Sequence, residues 1–380
     1  MIHLVVREPI SYQVVLGRVL HDWQNGEFVA WFHKGDVQDL RSEIPFTHHY
    51  LSETGYRKLF DALRADDAAV VILGGWSSPM TARTLLMSTL LRRRAFIWAD
   101  HPHPRKRIWI KEQARTAYLR MLASTVVDGF LVCGQPTMKY LEKLGIGDDQ
   151  LTNFPYWIDI PAAWSLPKRC NSGEADTPFR LAAIGRHVSV KGFDVAIRAV
   201  ERVNHRAGTA LCNLTLIGDG PERVRLESLV HSLNAGPSIT FTGWQSNDRV
   251  RSALSEADAL VVPSNFEPYG VVVLEALAAG RPVFASDQTI AALDRDDGSG
   301  AIRFHRAGDF ETLAQQIGTL ISDRDAFTTS CYAARAIAEQ WPADRAVPIL
   351  QEAIDMSAGN YREVSAHGSV DGIPPESPVL

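Results

Sequence analysis

Cysteine is scarce in this chain. Four residues in 380, Cys133, Cys170, Cys212 and Cys331, stand far apart and never as Cys-x-x-Cys, which argues against a zinc module or a disulfide framework and fits a reducing compartment. No apolar run approaches the ~18 residues that cross a bilayer, and the start shows no signal-peptide pattern. The expectation is a cytoplasmic protein that does not span a membrane. Glycine is missing before Gly17. The Gly-x-Gly-x-x-Gly fingerprint is also absent, which sets aside a nicotinamide-dependent dehydrogenase. No paired Asp cluster suggests a divalent metal, and no metal or cofactor is expected. A large charge of one sign is lacking too, with 39 Lys+Arg against 44 Asp+Glu and a net −5. Interleaved aromatic platforms do not accompany the basic residues, so nucleic acid is not an expected partner.

What is present describes a folded enzyme-sized chain. A hydrophobic content of 46% with 22% charged residues is ordinary for a globular protein, and 380 residues exceed one typical core. Apolar runs at 1–6, 68–73, 95–99 and 128–133 alternate with helical patterns at 12–23, 81–91, 108–124 and 135–144, with weaker strand signals at 27–32 and 44–50. The same alternation resumes at 179–185, 214–219, 239–243, 259–262, 283–286 and 301–304. This is the pattern of doubly wound α/β domains. The expected division is a first domain over 1–160, a linker over 161–178 rich in Pro and Ser, and a second domain over 179–340. A terminal helix near 341–358 is expected to cross back to the first domain, followed by a disordered tail over 365–380.

Charge is unevenly spread. Within 81–120 there are 10 basic residues against 2 acidic. Such an excess reads either as a solvated face or as attraction to an anionic lipid surface or an acidic acceptor. Peripheral attachment at the inner face of a membrane is the corresponding expectation.

The most informative stretch is 258–287, DALVVPSNFEPYGVVVLEALAAGRPVFASD. It reads as a buried strand, a loop, a helix and a second buried strand, and ligands of parallel α/β sheets sit at the carboxyl ends of such strands. Glu267 lies in the loop and Glu275 within an otherwise apolar helix. A carboxylate among apolar neighbours needs partners; ligand hydroxyls, such as the vicinal pair of a ribose, would supply them. The amides of Gly270, Val271 and Val272 would open the helix and suit a diphosphate. Arg186 and Lys191, five apart on one strand-to-helix loop, can converge on one anion.

Glu267-x7-Glu275, in its Pro-Tyr-Gly, Leu-Glu-Ala and Ala-Gly-Arg-Pro-Val context, resembles the donor-site signature of family 4 retaining glycosyltransferases. The resemblance implies a GT-B fold, two facing Rossmann-like domains with the site in the cleft, and over the first domain it is architectural only. It implies sugar transfer from a UDP- or GDP-sugar to an acceptor hydroxyl, with retention and without a metal. Arg186 and Lys191 would then hold the diphosphate, Glu275 the ribose, and Glu267 the sugar ring. The turn Gly218-Asp219-Gly220-Pro221 would lie near the nucleotide and Trp244 by the base pocket. His101, at the end of a first-domain strand, would face the transferred sugar. Trp76, Arg105 and Arg107 are candidates for the acceptor side, where the acceptor could be a saccharide, a lipid-linked saccharide or a small molecule. The family's first strand usually ends in a glycine-rich loop; here Arg7-Glu8-Pro9-Ile10-Ser11 stands instead, and such a loop cannot approach a phosphate closely. A sugar-nucleotide epimerase and an inactive nucleotide-sugar-binding module are the alternative readings.

Overall fold

The structure is a computed structural model that describes residues 1–34, 44–103, 109–160, 164, 166–167, 170 and 177–366, with residues 109–110 and 358–366 described in backbone only. The first domain holds strands β1 (Ile2–Val6), β2 (Phe28–Phe32), β3 (His48–Tyr50), β4 (Val70–Gly74), β5 (Arg94–Ala99), β6 (Gly129–Val132) and β7 (Leu151–Asn153). They form one sheet in the order β3-β2-β1-β4-β5-β6-β7. Strand β1 lies parallel between its neighbours, with Ile2 opposite Phe28 on one side and Val70 on the other. Parallel strands are covered on both faces, so they read as unbroken apolar runs rather than alternations. All five residues of β1 are buried.

The second domain repeats this plan with β8 (Phe179–Ile184), β9 (Cys212–Ile217), β10 (Ile239–Gly243), β11 (Ala259–Val262), β12 (Val283–Ser286) and β13 (Ile302–His305). Their order is β10-β9-β8-β11-β12-β13. In each sheet the strand order reverses direction once: between β1 and β4 in the first, and between β8 and β11 in the second. Loops leaving the carboxyl ends of those strand pairs frame a crevice, the usual ligand site of open α/β sheets.

The two domains share one core. Phe154 and Trp157 of the first pack in the same buried cluster as Tyr269 and Leu277 of the second and Leu350 of the terminal helix. That helix runs Ala346–Ala366, later than the expected 341–358, after a short turn of 3-10 helix at Ala343–Arg345. It returns to the first domain, where Arg94 Nη1 donates to the Ile354 carbonyl at 3.2 Å.

Several boundaries differ from the sequence reading for local reasons. The helix expected from 81 begins at Pro79, because Ser78 caps it by accepting from Thr81 N at 3.0 Å and proline fits the first turn. The strand signal at 44–50 yields only His48–Tyr50. Most of the linker at 161–178, nearly all of the tail at 365–380, and both Arg105 and Arg107 lie outside the described residues.

The basic run is less of a surface than its count suggests. Arg93 donates to the Leu63 carbonyl at 2.8 Å and pairs with Asp67. Arg115 pairs with Glu112 and lies over the Tyr140 ring, and Arg120 caps the Leu144 carbonyl. Guanidiniums with five donors suit such carbonyl-capping work. Arg83, Arg92, Lys111 and, despite its bond, Arg120 remain exposed. Beside Arg83, Leu86 and Leu90 stand 61% and 68% exposed on helix Pro79–Leu91.

Candidate active site

The crevice of the second domain is built from two loops bound together. The loop after β8 carries Arg186 to Lys191, and the loop after β11 carries Ser264 to Gly270. Asn265 N donates to the Val190 carbonyl at 2.8 Å, and its side-chain amide donates to the Ser189 carbonyl at 3.1 Å. Gly192 makes this approach possible, since a Cβ there would stand 2.3 Å from the Pro263 carbonyl oxygen. Across the junction Lys191 Nζ donates to Glu267 Oε2, which also accepts from Ser264 Oγ at 3.3 Å. Glu267 is thus buried with its charge matched. Arg186, on the same loop, is exposed and makes no ion pair among the described residues.

The helix Val271–Ala278 begins directly after this pair. Gly270 precedes it in the left-handed region at φ 100°, where a side chain would be strained and would also meet Glu267 Cγ at 2.8 Å. Free amides at the helix start and the cations of the neighbouring loop therefore border one space, a setting for an anion. One turn further in, Glu275 is half-buried. Its carboxylate has no hydrogen-bond or ion-pair partner among the described residues. Burial pushes its pKa from 4.5 up to about 7, with Arg251 opposing the rise.

The remaining second-domain candidates fall around this centre. Gly218 and Gly220 let the turn after β9 press on the β8 loop: a Cβ would lie 2.1 Å from the Gly185 carbonyl oxygen at Gly218 and 2.4 Å from that of His187 at Gly220. Trp244, just beyond β10, is 68% exposed.

From the first domain, His101 follows β5 and reaches over the crevice. Its ring stands 5.3 Å from that of Tyr140 and 6.1 Å from Phe266, the neighbour of Glu267. Burial first, and Arg115 second, lower its pKa to about 4, so at neutral pH it is an uncharged imidazole. Its Nδ1 is buried without a hydrogen-bond partner. His103, two residues on in the same loop, is exposed and rests its ring 4.6 Å from Phe266. Trp76 lies at the end of β4, lining a cleft of about 300 Å³ with Asp100 and Tyr156.

Two groups escaped the sequence reading. Asp100 stands at the carboxyl end of β5, bonded to the Tyr156 hydroxyl, and burial raises its pKa. Asp294, in helix Ile290–Arg295, is buried at the domain junction. It accepts from Gln135 N at 2.8 Å and Asn153 Nδ2 at 3.1 Å in the first domain, and from the Tyr269 hydroxyl at 3.3 Å in the second. Only the adjacency of Asp100 to His101 could have hinted at the first; nothing local marks the second.

Residues 178–323 match the family model described as Glycosyl transferases group 1. The matched segment spans β8 to the helix Phe310–Ser322, and so contains both loops of the crevice. Over 108 residues the chain is 43% identical to the lipopolysaccharide core biosynthesis glycosyltransferase LpsD of Rhizobium meliloti, covering 28% of this chain and 29% of that protein. Over 134 residues it is 33% identical to an uncharacterized glycosyltransferase of Methanocaldococcus jannaschii, covering 35% and 34% respectively. The alignments therefore span about a third of these relatives' lengths. The fold extends further than the sequence likeness. Anabaena HepE, solved in complex with UDP, superposes with a TM-score of 0.73 over 96% of this chain and 99% of its own, at 16% identity. Two Rossmann-like domains in the GT-B arrangement are common to both.

Proposed function

We propose that the chain is a glycosyltransferase of the family 4 retaining type, moving a sugar from a nucleoside diphosphate donor to an acceptor hydroxyl. The observation that carries this reading is the crevice at the second switch point. There Lys191 and Glu267 join two loops at the start of the helix Val271–Ala278, while the partnerless Glu275 lies one turn away. Each group has work in such a transfer. The open charge of Arg186, Lys191 and the helix amides compensate the departing diphosphate, with no metal required. Glu275 accepts bonds from the ribose hydroxyls, which favours its ionised form. Glu267 orients the transferred sugar, and neutral His101 contacts it from the first domain. The bond from the anomeric carbon to the phosphate oxygen breaks as the bond to the acceptor oxygen forms on the same face, and the leaving phosphate takes the acceptor's proton. The UDP held by HepE makes UDP the first nucleotide to test.

The test is thermal shift against nucleoside diphosphates, followed by product analysis. A ligand at about 100 times its dissociation constant adds roughly 2.7 kcal/mol to stability. A raised melting temperature with UDP or GDP, and a new glycosidic product with α-configured donor and product, is the expected result. Epimerised donor without transfer would replace this reading with an epimerase. The absence of any shift across the panel would leave the site without its donor.

Peripheral membrane attachment belongs to the same proposal. No helix among the described residues is long and apolar enough to cross a membrane, but exposed Leu86 and Leu90 beside Arg83 suit the surface of an anionic bilayer.

A further inference from the structure

One helix of the first domain has its first amide bonded by a side chain of the second. Helix Gln135–Lys143 follows Gly134, a residue with no side chain to cap it, and the first amides of any helix need acceptors from elsewhere. Asp294 supplies one: its Oδ1 accepts from Gln135 N at 2.8 Å and from Asn153 Nδ2 at 3.1 Å. Asn153 in turn accepts from Gly134 N at 3.0 Å. Glycine at 134 is what lets the domains come so close. Its φ is 90°, and a Cβ there would stand 3.1 Å from Ile290 Cγ2 and 3.3 Å from Asp294 Cβ.

The other carboxylate oxygen faces the donor loop. Asp294 Oδ2 accepts from the Tyr269 hydroxyl at 3.3 Å and pairs with Arg295 Nη1 at 3.3 Å. Arg295 Nη2 donates to the Tyr269 hydroxyl oxygen at 3.3 Å, and its guanidinium lies 3.6 Å over the Trp341 ring. Tyr269 directly precedes Gly270 and belongs to the loop that carries Glu267. That loop is stitched to the segment bearing Asp294: Ala291 N donates to the Tyr269 carbonyl at 2.7 Å, and Glu267 N to the Gln288 carbonyl at 3.0 Å. The side chains of Asp294 and Arg295 are only 1% and 2% exposed. A buried charge pair holds only where its geometry and hydrogen bonds are complete. Apolar contacts in the shared core are non-directional, whereas these bonds fix both distance and angle.

On the donor reading above, we propose that Asp294 is a positioning residue for sugar transfer. It sets the placement of the first domain on the donor loop, and so of His101 against Glu267. Asp294 is buried with both oxygens bonded, so it acts through the residues it holds rather than on the substrate. A misplacement of about 1 Å between reacting partners costs on the order of a hundredfold in rate.

The test compares the full wild-type chain with Asp294→Asn, which keeps the side-chain shape and one acceptor oxygen. Turnover is read as free sugar released from UDP-glucose and GDP-mannose with water as acceptor, at a temperature where both proteins are folded. In Asp294→Asn kcat should fall about tenfold or more. Donor KM should stay within about twofold and the UDP melting shift should persist, because Lys191, Glu267 and the helix amides are untouched. Hydrogen exchange adds a readout that needs no donor. Asp294→Ala, or Asn153→Ala where that variant does not fold, should speed exchange at the start of helix Gln135–Lys143 by more than it does in β9. Unchanged kcat in Asp294→Asn overturns the positioning role. So does a KM and UDP shift lost in step with kcat, which would put Asp294 in the donor site itself. Exchange accelerated equally in both segments overturns it as well, since Asp294 would then be a general stabiliser. A wild type with neither nucleotide shift nor turnover takes down the donor reading, and the role in transfer with it, while the exchange result still decides whether Asp294 joins the domains.

Discussion

Replacing Glu275 by glutamine should stabilise the protein while abolishing donor binding. The carboxylate sits in the helix Val271–Ala278 between buried Leu274 and Ala276 with no hydrogen-bond or ion-pair partner among the described residues, and burial lifts its pKa from 4.5 to about 7. A raised carboxyl pKa means that the folded protein holds its proton more tightly than the unfolded chain does. Stability is then full below about pH 4.5 and is lost progressively as pH rises through about 7. Each pH unit between those two values is worth about 1.4 kcal/mol, so the ionised side chain destabilises the unliganded protein by roughly 2–3 kcal/mol at pH 8, the lower figure allowing for solvent at its half-buried rim. Glu275→Gln should therefore raise the melting temperature by about 4–8 °C at pH 8, taking roughly 2 kcal/mol and about 2–4 °C per kcal/mol for domains of this size. At pH 5, half a unit above 4.5, the gap should shrink to about 1–2 °C. The UDP-induced shift should vanish, because a neutral amide is a poorer acceptor for two ribose hydroxyls. Differential scanning calorimetry at both pH values, with and without UDP, reads all of this. A variant that is less stable than wild type by the same margin at pH 5 and pH 8 would refute the reasoning, since it would mean that the carboxylate is satisfied within the fold.

Three further outcomes follow from the geometry. Lys191→Ala removes the partner of buried Glu267 and should lower stability by about 1–3 kcal/mol and transfer kcat/KM by about a hundredfold or more; wild-type turnover in a steady-state assay would take Lys191 out of the site. Asp294→Ala leaves the Gln135 backbone amide and the Asn153 side-chain amide without their shared acceptor and the Arg295 guanidinium without its ion-pair partner, and the Asp294 side chain is only 1% exposed. Urea unfolding should show a loss of about 3–5 kcal/mol, and an unchanged midpoint would mean that this carboxylate does not join the domains. Leu86→Asp with Leu90→Asp should abolish co-sedimentation with vesicles containing anionic lipid while leaving the UDP shift intact. Equal binding of wild type and variant, or wild-type binding indifferent to anionic lipid, would remove the membrane reading.

The sequence by itself determined the strand-and-helix alternation, because strands covered on both faces must be written as unbroken apolar runs. It also exposed Glu275, since a carboxylate among valines and leucines violates the local rule and so announces itself, with Glu267 in the loop before it. Arg186 and Lys191 were legible for the same local reason, as two cations on one strand-to-helix loop. Tertiary structure decided what distance along the chain conceals. Lys191 and Glu267 meet only because Gly192 lets one loop press on the other. Four arginines of the basic run were counted as surface charge, yet Arg93, Arg94, Arg115 and Arg120 turn to carbonyls, carboxylates or an aromatic ring once their helices and strands pack. Asp100 looks unremarked in the sequence, because a carboxylate at a strand end is ordinary until folding removes its water. Asp294 draws its partners from Gln135, Asn153 and Tyr269, and no local pattern records such a meeting. Hydrophobic periodicity is written residue by residue, whereas the pairing of a buried charge depends on which remote segment arrives beside it.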